Sequence, residues 1–204
     1  YTNAGKSSLL NRLTGAGVLV QDALFATLDP TTRRTATGDG RVYTLTDTVG
    51  FIRNLPHDLV EAFRSTLEES VEADLLLHIV DASDADPAGQ IMAVRTVLAE
   101  IGATGVPEQL VFNKCDLVDD ARIVELRTLD ATALFVSART GDGIDELLVR
   151  LEERLPRPQA EVRALIPYSR GDLIDRIHRV GEFVSSEHTA DGTLVVARVN
   201  ADLA

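Results

Sequence analysis

The feature that most restricts the fold of this chain is its first segment, Tyr1-Thr2-Asn3-Ala4-Gly5-Lys6-Ser7-Ser8. It matches the end of a G-x-x-x-x-G-K-S/T phosphate-binding loop whose first glycine would precede residue 1. Gly5 lets backbone N–H groups approach phosphate oxygens, Lys6 brings a positive charge to the β- and γ-phosphates, and Ser7 offers a hydroxyl to Mg²⁺. The following residues favour an amphipathic helix with an anion-attracting N-terminus. The alternative is a serine-capped helix after a glycine turn.

Composition narrows the class of protein. The chain has 204 residues, 45% of them hydrophobic, which suffices for one domain with a sizeable core and a smaller second one. No apolar run approaches the ~20 residues that span a bilayer, so we expect no stable membrane insertion. The net charge of −12 disfavours a basic nucleic-acid surface, and the single cysteine, which excludes an internal disulfide, favours the cytoplasm.

The alternation of strand and helix patterns predicts the fold class. Strands that alternate with helices favour an α/β fold, with helices flanking a mostly parallel sheet. The predicted buried strands cover 75–81, 109–112 and 133–136, and the predicted helices cover 56–73, 86–101, 119–127 and 143–155. A turn signal at Asp39-Gly40 predicts a hairpin over 35–46, whereas residues 25–34 predict a loop.

The domain organisation follows from a break at Pro156-Arg157-Pro158, which indicates a linker. We expect a nucleotide-binding domain over residues 1–156. Its first strand should precede the phosphate loop and is missing from the sequence. Because the chain does not begin with Met and starts inside a motif, we expect it to be a piece of a longer protein. Residues 157–204 predict a small α+β domain with the order β-α-β-β and a turn at Asp191-Gly192.

Further polar motifs follow predicted strands, where ligands bind in α/β sheets. Asp47-Thr48-Val49-Gly50 matches D-x-x-G, in which the aspartate can hold Mg²⁺ through water and the Gly50 N–H can reach a γ-phosphate. Asn113-Lys114-Cys115-Asp116 matches N-K-x-D, and Ser137-Ala138-Arg139 follows the next strand. Taken alone, each of these motifs has the alternative explanation of a polar turn at the end of a strand.

The N-K-x-D motif predicts the base. The Asp116 carboxylate can accept hydrogen bonds from the N1–H and the exocyclic amine of guanine, whereas adenine presents no such donor pair. A backbone N–H at Ser137-Ala138 can meet the guanine O6. Cys115 occupies the variable position, where we expect a small buried thiol without chemistry. The motif therefore favours GTP over ATP as the substrate.

The order of these motifs resembles that of the small P-loop GTPases, and more narrowly that of the HflX family of ribosome-associated GTPases. Three segments carry the narrower resemblance, which covers essentially the whole chain but not the family's N-terminal region. They are Tyr1-Thr2-Asn3-Ala4-Gly5-Lys6-Ser7, Leu24-Phe25-Ala26-Thr27-Leu28-Asp29-Pro30-Thr31-Thr32-Arg33 and Asp47-Thr48-Val49-Gly50-Phe51-Ile52.

The resemblance implies residue roles. The first switch, Phe25-Ala26-Thr27-Leu28-Asp29, contacts the nucleotide, and Thr27 ligates Mg²⁺ together with Ser7 when GTP is bound. Thr31 and Thr32 remain alternative hydroxyl ligands. Lys6, Thr27 and Gly50 act on the γ-phosphate. Phe51 stands where Ras-like enzymes carry the glutamine that orients water, so we expect its ring to pack instead.

The resemblance also implies a function. We expect a monomer that hydrolyses GTP to GDP as a Mg²⁺-dependent switch on the large ribosomal subunit, where family members split or rescue stalled ribosomes. The alternative is a regulatory module that binds GTP or GDP but turns over slowly.

Overall fold

The computed structural model describes residues 1–15, 31–38, 40–48, 50, 70–156 and 160–199. Contacts between Cα atoms divide the chain into two compact units. One comprises Tyr1–Arg33 and Leu45–Arg154, and the other comprises Arg34–Thr44 and Leu155–Ala204. Within the described residues, no helix has the length and apolar character that a transmembrane span requires.

The elements follow the predicted alternation. The α-helices are α1 Lys6–Thr14, α2 Pro87–Glu100, α3 Asp120–Arg127, α4 Ile144–Arg154 and α5 Gly171–Val180. The strands are β1 Thr31–Ala36, β2 Val42–Asp47, β3 Leu76–Asp81, β4 Glu108–Asn113, β5 Leu134–Phe135, β6 Ala160–Ile166, β7 Glu182–Thr189 and β8 Gly192–Val199. Most of the helix predicted over 56–73 falls outside the described residues.

A parallel sheet in the order β3-β4-β5 forms the centre of the larger unit. The register runs from Leu76 opposite Glu108 to Asp81 opposite Asn113. Because the strands are parallel and in register, Asp81 and Asn113 end their strands side by side. This edge, formed by the carboxyl ends of the strands, is where an α/β sheet presents its ligand-binding residues.

Apolar side chains from this sheet and its helices form a buried cluster, which holds in place the strands that end at that edge. Phe112 in β4 is fully buried, and its ring stacks on Phe135 of β5 with 5.3 Å between centroids. The guanidinium of Arg127 lies over the Phe135 ring, 4.8 Å from its centroid, which is a favourable cation–π distance. The buried members of this cluster are Val80, Ala82, Ile91, Leu110, Phe112, Leu126 and Ala133.

Side-chain caps determine where two of the helices begin. The Asp86 carboxylate accepts a hydrogen bond from the Gly89 N–H at 3.0 Å, and Pro87 occupies the first turn of α2. Asp119 caps α3 in the same way through the Arg122 N–H at 2.9 Å. Such caps satisfy N–H groups that have no partner inside the helix.

Strand β1 corrects one expectation, since the sequence predicted a loop through Arg34 but pairing with β2 begins at Thr31. The Thr32 and Thr46 hydroxyl oxygens lie 3.0 Å apart across the hairpin. β-branched residues are favoured in strands, and this pairing outweighs the polar character that predicted a loop.

The smaller unit contains an antiparallel sheet in the order β6-β8-β7 with α5 against one face. Leu173, Ile174 and Ile177 of α5 pack against the buried cluster of this sheet, which consists of Ile166, Val195, Ala197 and Val199. The tight turn between β7 and β8 lies at Ala190-Asp191, one residue earlier than predicted, because Gly192 already pairs with Thr189.

Candidate nucleotide-binding site

The first part of the candidate site is the loop that precedes α1 and contains Gly5. The Gly5 backbone is left-handed, with φ of 85°, and its carbonyl accepts the first helical hydrogen bond from the Leu9 N–H at 2.9 Å. A Cβ at Gly5 would collide with the side-chain amide of Asn113. Glycine is therefore required here both by the backbone angle and by the close approach of a neighbouring strand.

The Lys6 side chain folds back over this loop. Its Nζ donates to the Tyr1 carbonyl oxygen at 3.1 Å, so the ammonium lies above the turn that would surround a phosphate. Burial lowers the pKa of Lys6, and the nearby Asp47 carboxylate opposes that shift. A phosphate group next to Lys6 would restore the stabilisation that the ammonium loses through desolvation.

Ser7 and Asp47 bring two oxygen donors together. The Ser7 hydroxyl donates to Oδ2 of Asp47, which ends β2 and is only 6% exposed, with 2.5 Å between the oxygens. A hydroxyl and a carboxylate suit Mg²⁺, which takes few protein ligands and completes its octahedron with phosphate oxygens and water. Among the described residues, no group of three or more His, Cys, Asp and Glu could hold a metal alone. With one hydroxyl and one carboxylate, the Ser7–Asp47 pair fits a metal whose remaining ligands are phosphate oxygens and water.

Gly50 packs directly against the phosphate loop. The Thr2 hydroxyl donates to the Gly50 carbonyl oxygen at 3.1 Å. A Cβ built on Gly50 would lie 2.9 Å from Lys6 Nζ and from the Thr2 Cα, closer than real Cβ contacts. Residue 50 must be glycine for the D-x-x-G segment and the loop to stay this close.

Asn113 joins two loops that the sequence separates widely. Its Nδ2 donates to the Ala4 carbonyl oxygen at 2.9 Å, and its Oδ1 accepts from the Ala138 N–H at 3.0 Å. The side chain is buried, so the hydrogen bond to Ala4 is shielded from water, whereas the one from Ala138 is partly buried. The Ala138 N–H, one of those that sequence analysis offered to guanine O6, is engaged by Asn113.

Both carboxylate oxygens of Asp116 are held by the Ser137–Arg139 loop. The Ser137 hydroxyl donates to Oδ1 at 2.6 Å, and Arg139 Nη2 lies 2.6 Å from Oδ2. The Ser137 hydrogen bond, assisted by Arg139, lowers the pKa of Asp116. At neutral pH Asp116 is thus an acceptor of hydrogen bonds, as guanine recognition requires.

Cys115 contributes structure to this loop. Its N–H donates to the Val136 carbonyl at 3.1 Å, and its thiol donates to the Phe112 carbonyl at 3.2 Å. Burial raises the pKa of the thiol to about 11. The side chain is therefore a protonated packing group at neutral pH.

Comparison with known proteins decides the family. Residues 1–114 match the family model described as "50S ribosome-binding GTPase", which covers more than half of the chain. The chain belongs to this GTPase family. The matched residues include the phosphate loop, the D-x-x-G segment and the first two residues of N-K-x-D.

Curated relatives confirm the narrower resemblance to HflX. This GTPase-family chain is 47% identical over 202 residues to GTPase HflX of Akkermansia muciniphila, which covers 97% of the chain and 46% of the relative. It is 45% identical over 196 residues to GTPase HflX of Escherichia coli, covering 95% of the chain and 46% of the relative. The chain thus spans about half the length of the curated relatives it matches.

Solved structures confirm the P-loop GTPase fold. A GTP-binding protein from Sulfolobus solfataricus in complex with GDP superposes with a TM-score of 0.58 at 28% identity. The match covers 75% of this chain and 49% of that one.

Two residues of the candidate site were missed by sequence reasoning. Asp81 accepts from Lys114 Nζ at 2.6 Å, and Lys114 adopts a left-handed backbone with φ of 65°. Burial would raise the pKa of Asp81, but hydrogen bonds from Lys114 and Ser83 outweigh it and lower the pKa. The position of Asp81 at the end of a strand was a usable signal, because the same criterion identified Asn113.

Arg12 is the second missed residue. It lies in α1, and its guanidinium donates from Nε to the Ala138 carbonyl at 3.2 Å and from Nη2 to the Arg139 carbonyl at 2.9 Å. A basic residue near a helix C-terminus is ordinarily explained by the helix dipole, so nothing in the sequence marked this contact.

Several predicted site residues lie outside the described part of the chain. They are Phe25, Ala26, Thr27, Leu28, Asp29 and Val49. Phe51 lies outside it as well, so the first-switch metal ligand and the residue after Gly50 stay predictions. Thr48, Thr31 and Thr32 are described, and the Thr32 hydroxyl is engaged by Thr46.

Proposed function

We propose that this chain is the switch domain of a GTP hydrolase that acts on the large ribosomal subunit. The observation that carries the proposal is the pair of hydrogen bonds made by Asn113. They join Ala4 in the phosphate loop to Ala138 in the Ser137–Arg139 loop, which we call the base loop. One nucleotide can therefore contact both loops at once, its phosphates at one and its base at the other.

Base selection falls to Asp116. Its carboxylate faces the Ser137–Arg139 loop and is held ionised, so it can accept from the N1–H and the exocyclic amine of guanine. Charge-assisted hydrogen bonds to two donors discriminate strongly against adenine, which has no matching pair.

Phosphate binding falls to Gly5, Lys6 and Ser7. Lys6 supplies charge to the β- and γ-phosphates, and the N–H groups at the start of α1 add the favourable field of a helix N-terminus. Ser7 and Asp47 would hold Mg²⁺, which when bound neutralises charge that develops on the phosphate oxygens. Thr27 is proposed to complete the metal site in the GTP state, and the Gly50 N–H to contact the γ-phosphate.

Hydrolysis is proposed to depend on a partner. Residue 51 is phenylalanine, which cannot orient water as glutamine does in Ras-like enzymes, whose intrinsic rate is itself only ~10⁻⁴ s⁻¹. The description of the matched family names the 50S ribosome, and the relatives are HflX proteins. Both support the large subunit as the partner, with splitting or rescue of stalled ribosomes as the task.

The organisation proposed for this protein is a cytoplasmic monomer with a GTPase domain over residues 1–156 and a small domain over residues 157–204. GTP would order the first switch and the D-x-x-G segment, and hydrolysis would release them.

Single-turnover hydrolysis tests the proposal. The complete protein is mixed with radiolabelled GTP and Mg²⁺, alone, with purified 50S subunits and with 30S subunits. We expect 50S subunits to raise the rate by about tenfold or more, since arginine supplied in trans accelerates related enzymes far more than that. Lys6→Ala should abolish the stimulated rate.

The slow-turnover regulatory module is the competing function, and the phenylalanine at position 51 favours it. It predicts tight GTP and GDP binding with a rate that neither subunit changes. Fast hydrolysis by the free protein would contradict both functions and indicate a catalytic group outside those named here.

A further inference from the structure

Asp116 is contacted by two side chains of very different character. Ser137 is fully buried, and its Oγ both donates to Asp116 Oδ1 and accepts from the Thr140 N–H at 3.1 Å. The Arg139 side chain, by contrast, is 74% exposed, although its Nη2 lies 2.6 Å from Asp116 Oδ2. Ser137 is thus a fixed part of the loop, whereas the Arg139 guanidinium is a surface group that forms an ion pair with Asp116.

The Asp116 carboxylate has little open surface. Its side chain is 9% exposed with Arg139 in place. Guanine needs both carboxylate oxygens, one for the N1–H and one for the exocyclic amine. A base edge would have to approach an acceptor that the guanidinium already contacts and partly covers.

We propose that Arg139 competes with guanine for Oδ2 of Asp116, so that nucleotide association requires the guanidinium to leave the carboxylate. This inference rests on the proposed guanine-binding function and adds a residue that governs the rate of loading. Arg139 acts as an internal substitute for the donors of the base.

The backbone of Arg139 is held independently of its side chain. Arg12 donates to the carbonyls of Ala138 and Arg139, and the Asn113 side chain accepts from the Ala138 N–H. The guanidinium can therefore swing into solvent while the loop keeps its shape. Removing the side chain should leave the base-binding geometry intact.

The size of the effect follows from the exposure of the pair. Only the Arg139 partner is exposed, at 74%, and water and salt screen its charge. We therefore expect the pair to contribute about 0.2–1 kcal/mol, as ion pairs at the surface do, which corresponds to roughly a 1.5- to 5-fold faster association for Arg139→Ala. The direction of the change in association rate distinguishes competition from a general effect of charge. Loss of a positive charge alone would slow the approach of an anionic nucleotide, so competition and general electrostatics predict opposite signs.

The test is stopped-flow association of GDP bearing a fluorescent ribose substituent, measured on the complete protein at several protein concentrations. The variants are Arg139→Ala and Arg139→Lys. The matched control is Arg150→Ala, which removes an equally charged residue whose ion pair is with Glu153 on α4. We expect faster association for Arg139→Ala, a smaller increase for Arg139→Lys, and no increase for the control.

Salt provides a second measurement on the same samples. Added salt screens the native ion pair, so the ratio of variant to native association rates should fall towards one as ionic strength rises. An unchanged or slower association for Arg139→Ala, with GDP still bound, would overturn the competition and indicate that Arg139 assists the base. A native protein that binds no GDP would instead overturn the proposed function.

Discussion

The side-chain amide of Asn113 donates to the backbone carbonyl of Ala4 across 109 residues of chain, with 2.9 Å between nitrogen and oxygen. We predict that Asn113→Ala weakens GDP binding at least tenfold and destabilises the protein by about 1–3 kcal/mol, because the buried carbonyl of Ala4 and the partly buried N–H of Ala138 lose their partner. Titration calorimetry and urea unfolding measure the two effects.

The control for that experiment is Gln109→Ala at the opposite end of β4. Gln109 is equally buried and donates to the Thr132 carbonyl at 2.9 Å, so its loss should also reduce stability. It should leave the GDP affinity unchanged. Parallel losses of affinity in both variants would mean that Asn113 acts only through stability.

Replacing Asp116 with Asn should change the preferred base from guanine to xanthine. In Asp116→Asn an amide donates where the carboxylate accepts, so GTP affinity should fall by about 1.5–3 kcal/mol, roughly 10- to 150-fold, and xanthosine nucleotides should bind better than GTP. Competition binding with GTP, xanthosine triphosphate and ATP measures this. Unchanged GTP affinity in the variant would disprove the assignment of the base.

Ser7 should matter only in the presence of magnesium. Ser7→Ala removes a hydroxyl donor from the pair with Asp47, so it should weaken GDP binding with Mg²⁺ and have little effect in EDTA. Ser8→Ala, one residue further along α1, is the matched control. An equal effect of Ser7→Ala in both buffers would exclude a role as a metal ligand.

Arg12 should support the base loop without touching the nucleotide. We predict that Arg12→Ala lowers GDP affinity about 2- to 10-fold, in line with hydrogen bonds that contribute about 0.5–1.5 kcal/mol. Arg12→Lys retains the positive charge but cannot donate to both carbonyls in the same geometry. Its GDP affinity should therefore lie between those of the native protein and Arg12→Ala. A native-like affinity in Arg12→Ala would show that the loop holds its shape without this contact.

His78 should make the larger unit sensitive to mild acid. Its Nδ1 lies 2.7 Å from the Glu108 carboxylate, yet burial lowers the pKa of His78 below its ordinary value. The unfolded chain therefore takes up a proton near pH 6.5 more readily than the folded one does, so stability is full above that pH and falls as pH drops below it.

Thermal unfolding between pH 7.5 and 5.5 tests this dependence. His78→Gln cannot titrate but retains a donor for Glu108, so its unfolding temperature should vary less with pH than that of the native protein. His188→Gln, at an exposed position, should follow the native curve. Identical slopes for native protein and His78→Gln would place the acid sensitivity elsewhere.

The local geometry of the candidate site was predictable from sequence where it depends on neighbouring residues alone. A glycine-lysine-serine turn before a helix and polar residues directly after apolar strands need only short-range patterns. The parallel pairing of β4 with β5 then brings Asn113 and the Ser137–Arg139 loop to the same edge, as the general rule for such sheets predicts.

What the sequence could not indicate depends on contacts across the chain. The pairing of Asp81 with Lys114 requires the register of β3 and β4, and the contact of Arg12 with the base loop spans more than 120 residues. The early start of β1 has the same origin. Local composition favours a loop at Thr31 and Thr32, and only the partner strand makes them extended.

Cys115 has a practical consequence for the study of this protein. With a thiol pKa of about 11, only about one molecule in ten thousand carries the reactive thiolate at pH 7. Because it is the one cysteine in the sequence, maleimide dyes should leave the native chain almost unlabelled. A cysteine introduced at Met92, which is 70% exposed on α2, would accept a fluorophore selectively without prior removal of the natural one.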